Sequence, residues 1–243
     1  MRLYTFHLQV VARYVSLLVL LLVAALFGFV LSGDGYDPAR LHIGYMYVTG
    51  GQFVLFSVFL PFLVHDVRAD RSGCAIGWRM SKPVIVLIGA ALPIYAAYVV
   101  MWGRTPPLFS YVLVVEASWG LALSGIQQMV ACRRGHLIRQ MFTVVVGGGS
   151  VLIGSLCFLY AYVMHEQAVI TTIFDKDIPL AFFSNPLLVV AGLLYEPIGG
   201  NQWGIRPLAL SSLLWTAVGI VAWLYVWMRG KKRREARDEA RAA

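Results

Sequence analysis

The sequence predicts an all-α polytopic membrane protein. It has six transmembrane helices, an N-terminal interfacial helix, and an outer re-entrant helical segment between helices 5 and 6. Three observations predict this: an apolar excess, a row of helix-length apolar runs, and a one-sided placement of cations. Of 243 residues, 59% are apolar and only 13% charged, whereas soluble domains carry about 25% charged residues. Crossing roughly 30 Å of hydrocarbon takes about 20 apolar residues in a helix. Runs of that kind fall at 14–32, 42–64, 83–102, 108–131, 141–164 and 207–228. The longest segment outside them, 165–206, leaves no room for a soluble catalytic domain of ~100 residues. The chain therefore reads as a single transmembrane domain, with residues 1–13 interfacial, 14–228 the six-helix bundle and 229–243 a basic cytoplasmic tail.

The net charge is +8, but its distribution excludes a nucleic-acid reading. With the N-terminus cytoplasmic and six crossings, sixteen of the twenty Lys and Arg lie inside. Arg40, Arg104, Lys176 and Arg206 lie outside. That bias obeys the positive-inside rule. The apolar stretch 178–195 would rise roughly 27 Å as a helix. Counted as a seventh crossing, it exports the basic tail and destroys the bias. It is therefore expected to enter and leave by the outer side, turning at Asn185-Pro186. Backbone freed there would have to be buried in protein or face water.

The first run is too long for a cleavable signal peptide and no small-residue cleavage site follows it, so a signal anchor is expected. Before it, Leu3, Phe6, Val10 and Tyr14 share one helical face while Thr5, Gln9 and Arg13 lie off it. This suits a short helix on the inner membrane surface; the alternative is an extension of the first crossing. Cys74, Cys132 and Cys157 have no metal-type spacing and suggest neither disulfides nor zinc.

Inside the second run, Tyr45, Thr49 and Gln52 fall at helical spacing, with Phe56 next on that face. Such a stripe faces protein or water rather than lipid. It either lines a substrate path or hydrogen-bonds between helices. Glu116 lies about nine residues inside the fourth run, on a face with Gly120, Ser124 and Gln127. An acid at that depth is functional or is partnered within the bundle. The inner segment 65–83 is amphipathic, and Gly73 and Gly77 permit turns in it. Ile76 and Trp78 on a polar loop favour docking of a soluble partner, because aromatic residues are enriched at interfaces; otherwise this is a solvated loop. The string Gly147-Gly148-Gly149-Ser150 has no following Lys-Ser/Thr and is no phosphate loop. It suits close helix contact or a bend. The five histidines stand at run ends or in loops, which argues against haem ligation within the helices.

With this topology the chain resembles the membrane subunit of ABC transporters of the ABC-2, or type V, exporter class. Six crossings with both ends inside and a short amphipathic N-terminal segment carry the resemblance. So do Asp70, Gly73, Ser81 and Pro83 after the second crossing, similar to the family's acid–Gly–…–Ser–x–Pro pattern, and Asn185-Pro186-Leu187 outside. The Gly-Thr-Leu-Glu run usual in the family is here Gly73-Cys74-Ala75-Ile76. The resemblance implies a permease, an exporter in the plasma (bacterial inner) membrane with cytoplasmic termini. It pairs with a second copy or a paralogue. Asp66, Asp70, Arg71, Gly73, Ile76, Trp78 and Arg79 would dock a cytoplasmic ATP-binding subunit, and Tyr45, Thr49, Gln52, Phe56, Glu116 and Ser150 would line the substrate path. The chain itself would bind no cofactor and catalyse nothing; ATP and Mg belong to the partner. The alternative function is an integral membrane enzyme or cofactor-bearing redox subunit using Glu116.

Overall fold

The structure is a computed structural model that describes residues 2–30, 38–64, 73–102, 109–131, 136–163, 170–173, 176–179, 185–195 and 205–242. Five long helices form the bundle's first part: α1 (Arg2–Ala25, ending in a π turn at Leu26–Val30), α2 (Pro38–Leu63), α3 (Gly73–Trp102), α4 (Phe109–Ala131) and α5 (His136–Val163). A hairpin of β1 (Ile170–Ile173) and β2 (Lys176–Pro179) follows, then α6 (Pro186–Tyr195) and α7 (Ile205–Ala242).

Four stretches are long and apolar enough to cross a membrane: His7–Gly28, Ile43–Leu63, Ala75–Ala97 and Leu208–Lys232. A shorter apolar stretch, Gln140–Ile153, lies in α5. At 23 residues α4 has the length, but Glu116, Ser118, Ser124, Gln127 and Gln128 dilute its apolar character. All five are buried. Large apolar side chains such as Leu20, Val145, Leu213 and Val221 face outward instead. Polar groups inside and apolar groups outside invert the soluble pattern; the chain is a helical membrane protein.

Packing fixes the relative directions. Tyr14 meets Phe59 at a ring-centroid distance of 5.8 Å, and Leu21 covers Gly51, so α1 runs antiparallel to α2. Val84 covers Gly120 and Met80 reaches Gly125, so α3 opposes α4. The edge-on contact of Trp119 with Trp215, at 4.6 Å and 80°, and the Gly125–Ala222 contact set α7 parallel to α4. α4 touches α2, α3, α5, α6 and α7 and is the hub of the bundle.

Three expectations change. First, no separate interfacial helix occupies residues 1–13. α1 starts at Arg2 and continues unbroken, because the buried stripe Val10, Tyr14, Leu18 carries across the expected boundary without a Gly or Pro. Second, the third helix begins at Gly73, ten residues before the apolar run. Its first turns are held by Ile76 and Met80, packed on Val226 of α7, which outweighs the helix-weakening glycines. Pro83 and Pro93 therefore lie inside α3. Third, the chain is not entirely helical. The start of the stretch 178–195 belongs to β2, with Ile170 paired to Pro179 and Ile173 to Lys176; β-branched residues in β1 favour extended backbone. The basic tail 229–243, by its sequence a continuation of the last helix, is helical as far as Ala242 in α7, supported on its polar turns by a Lys231–Glu235 ion pair of 3.8 Å. An exposed pair of this kind adds only about 0.3–0.5 kcal/mol.

The α4–α7 seam depends on small residues. A Cβ on Gly125 would lie 2.7 Å from the Ala222 Cβ, and two rigid methyl carbons cannot share that space. Gly125→Ala is expected to lower stability in detergent by about 1–3 kcal/mol through overpacking. Adding Ala222→Gly should recover most of the loss in thermal unfolding. Additive losses in the double variant would contradict this close contact.

Candidate functional site: a buried polar junction

Four helices bring hydroxyl, amide and carboxyl groups to one place. Tyr14 comes from α1, Tyr45, Thr49 and Gln52 from α2, Tyr95 from α3 and Glu116 from α4, and all are buried. Helical spacing sets three α2 residues on one face. That face meets α4, so the stripe and the acid come together. Gln52 Nε2 donates to Glu116 Oε1, and Tyr95 OH donates to Gln52 Oε1. The second carboxyl oxygen, Oε2, is buried and has no hydrogen-bond partner among the described residues. Tyr14 lies beside Gln52 and Glu116. Thr49 lies beside Tyr45 and Tyr95, whose rings meet edge-on at 6.4 Å.

Two further interhelical bonds continue the junction along α2 and α4. Trp119 Nε1 donates to Ser57 Oγ at 2.9 Å, and Ser57 in turn donates to the Phe53 carbonyl at 3.0 Å. Gln127 Nε2 donates to the Pro61 carbonyl at 2.8 Å. That carbonyl belongs to the last turn of α2, where helical acceptors lack intrahelical donors. Together these bonds form a ladder, 52 to 116, 57 to 119 and 61 to 127, between two parallel helices.

The expected path residues thus divide. Tyr45, Thr49, Gln52 and Glu116 meet in one junction. Phe56 packs against Gly120 as part of the apolar core. Ser150 lies in α5, but its side chain is outside the described residues. Of the expected docking residues, Asp66, Asp70 and Arg71 are outside the described residues. Gly73, Ile76, Trp78 and Arg79 occupy the first turns of α3 rather than a loop. Ile76 is buried and Trp78 is 60% exposed. Tyr14 and Tyr95 join the junction without having been singled out; a hydroxyl within each apolar stripe was the available signal.

Asn185-Pro186 starts a helix, and residues 180–184 ahead of it, where a turn of the stretch 178–195 would enter, lie outside the described residues. Asn185 Oδ1 accepts from the Leu187 amide at 3.0 Å, and its carbonyl accepts from Leu188 at 3.1 Å. Asn is a favoured N-cap, and proline suits the first helical position. The side-chain amide also donates to the Val151 carbonyl at 3.1 Å and to Ser155 Oγ at 3.0 Å, both on α5. α6 is thereby held in the bundle, with Leu188, Val189 and Val190 buried and Leu187 against Gly50.

The class defined by fold and site is a helical membrane protein with a polar junction enclosed by its first four helices. No family model matches the chain, and no curated protein or solved structure is detectably similar to it. Among the described residues no three His, Cys, Asp or Glu side chains gather as metal ligands.

Asn185→Ala removes a cap and two bonds to α5. A cap alone contributes typically ~1 kcal/mol, and the orphaned buried groups add about as much again. The expected result is a stability loss of about 2 kcal/mol with faster amide hydrogen exchange in α6. Unchanged exchange there would show that apolar packing alone holds α6.

Proposed function

We propose that the chain is the membrane-spanning permease subunit of an ABC transporter of the ABC-2 class, an exporter in the plasma (bacterial inner) membrane. In this reading it makes six crossings with both termini cytoplasmic and pairs with a second copy or a paralogue. A separate cytoplasmic ATP-binding subunit docks on it. ATP binding there biases the pair between two states that differ in substrate affinity, the only way a ligand can drive such a change.

One observation carries the reading. The first turns of α3 form a rigid, partly exposed ledge at the same end of the bundle as the basic half of α7. Ile76 and Met80 anchor the ledge on Val226, and Trp223 lies against Gly77. Trp78 projects from it. Arg79 and Lys82 lie on the ledge, and Arg229, Lys231 and Lys232 lie on α7. The positive-inside rule therefore favours the cytoplasm for this end. An aromatic side chain on a rigid cytoplasmic helix turn suits a docking contact, since such anchors dominate interface energetics. The capped entry of α6 against Val151, Ser155 and Gly50 lies towards the opposite end, which suits an outer closure of the path.

The test is gentle-detergent purification of the tagged chain. An ATPase is expected to copurify, and Trp78→Ala is expected to release at least about tenfold more of it, the equivalent of ~1.4 kcal/mol at an interface hot spot. With the native cysteines replaced, Ala236→Cys should react with an impermeant thiol reagent only after the cytoplasmic side is opened. No ATPase, or labelling of position 236 from outside, would overturn the reading.

A further inference from the structure

The polar junction holds a chemical feature that the transport reading does not use. Glu116 is fully buried. Among the described residues the buried set contains no Lys, Arg or His. One carboxyl oxygen accepts from Gln52, and the other, Oε2, has no partner. A carboxylate charge enclosed without a cation is far costlier than an enclosed neutral polar group.

We propose that Glu116 anchors an occluded site for one monovalent cation, held at Oε2 beside Tyr14 and Tyr95, and that the resident cation is a proton. The proposal does not rest on the transport reading. The bond directions favour it. Tyr95 donates to Gln52 Oε1, and the Tyr14 hydroxyl, buried and with no hydrogen-bond partner among the described residues, can accept a proton. Gln52 commits its amide to Oε1 of Glu116. A proton on Oε2 turns the orphaned acceptor into a donor among hydroxyl groups and removes the net charge; the balance is one carboxylate plus one proton giving one neutral acid. The other buried polar groups of the junction are Tyr14 from α1, Tyr45, Thr49 and Gln52 from α2, and Tyr95 from α3. Among the described residues α5, α6 and α7 add no buried titratable side chain. An alkali ion is the competing occupant of the same oxygen cluster. It would need several of these hydroxyls as ligands at once, whereas a proton needs one acceptor.

Occupancy is then linked to packing. A filled site keeps the junction of the first four helices neutral, while an emptied one places a charge at their meeting point. The site thus couples the uptake or release of one cation to the contact between α2 and α4.

Infrared spectroscopy of the purified full-length protein tests this at neutral pH, in sodium-free buffer and in sodium- or potassium-containing buffer. The expected result is a carbonyl band of a protonated carboxylic acid that shifts in heavy water and disappears in Glu116→Gln. It should persist when alkali salts are added. Should Glu116→Gln fail to fold, wild-type protein grown with heavy-carbon glutamate assigns the band without a variant. A glutamate band that appears in sodium-free buffer and is abolished by an alkali ion also overturns it, because that ion and not the proton is then the occupant. The absence of any protonated glutamate band in sodium-free buffer overturns the proposal.

Discussion

The hydrogen bond from Gln52 to Glu116 is the constraint around which the rest of the bundle is arranged. In a hydrocarbon surround a polar side chain has no water to fall back on, so it must find its partner within the protein. The partners here are on α2 and α4, and the Ser57–Trp119 and Pro61–Gln127 bonds extend the same seam. Interhelical bonds of this type contribute only about 0.6 kcal/mol each on average, with ~1.7 kcal/mol at most. Their larger effect is on register. Sliding or rotating α2 against α4 orphans several buried groups together, at about 1–3 kcal/mol each. The ladder therefore selects one arrangement more than it strengthens it.

Once α2 and α4 are fixed, their neighbours follow from shape. Gly120 admits Phe56 and Val84, and Gly125 admits Ala222, so α3 and α7 approach α4 closely. Gly147 of α5 fits over Leu123. Bringing α3 beside α7 gives the α3 turns around Trp78 a rigid backing. Asn185 ties the start of α6 to the middle of α5. The polar centre, the exposed aromatic ledge and the inserted short helix are consequences of one packing solution.

Much of this was legible in the sequence because two signals are strong in membrane proteins. Long apolar runs locate helices, and polar residues at helical spacing within them mark inward faces. Tyr45, Thr49, Gln52 and Glu116 were legible on those grounds, and so was a close helix contact in the α5 glycines, made at Gly147. The start of α3 was not, because Gly73 to Lys82 is polar and glycine-containing, and its helix is stabilised by tertiary contact with α7. Tyr95 gave a weak signal because a tyrosine in an apolar run resembles any aromatic. Asn185-Pro186 can either break a helix or start one. Only the partners of the asparagine side chain decide between them, and those lie some thirty residues away in the chain. Short pairings such as β1–β2 depend on register between segments rather than on the composition of either.

The central claim is that Gln52 and Glu116 act as one unit joining α2 to α4. The most direct measurement is a double-mutant cycle on unfolding in detergent, with Gln52→Leu, Glu116→Leu and the pair. Each single change leaves a buried polar partner unsatisfied, whereas the pair removes both. The account predicts that the double variant is more stable than the sum of single losses implies, by about 0.6–1.7 kcal/mol of coupling. Additivity within about 0.5 kcal/mol would contradict it, because the two side chains would then be independent tenants of the core.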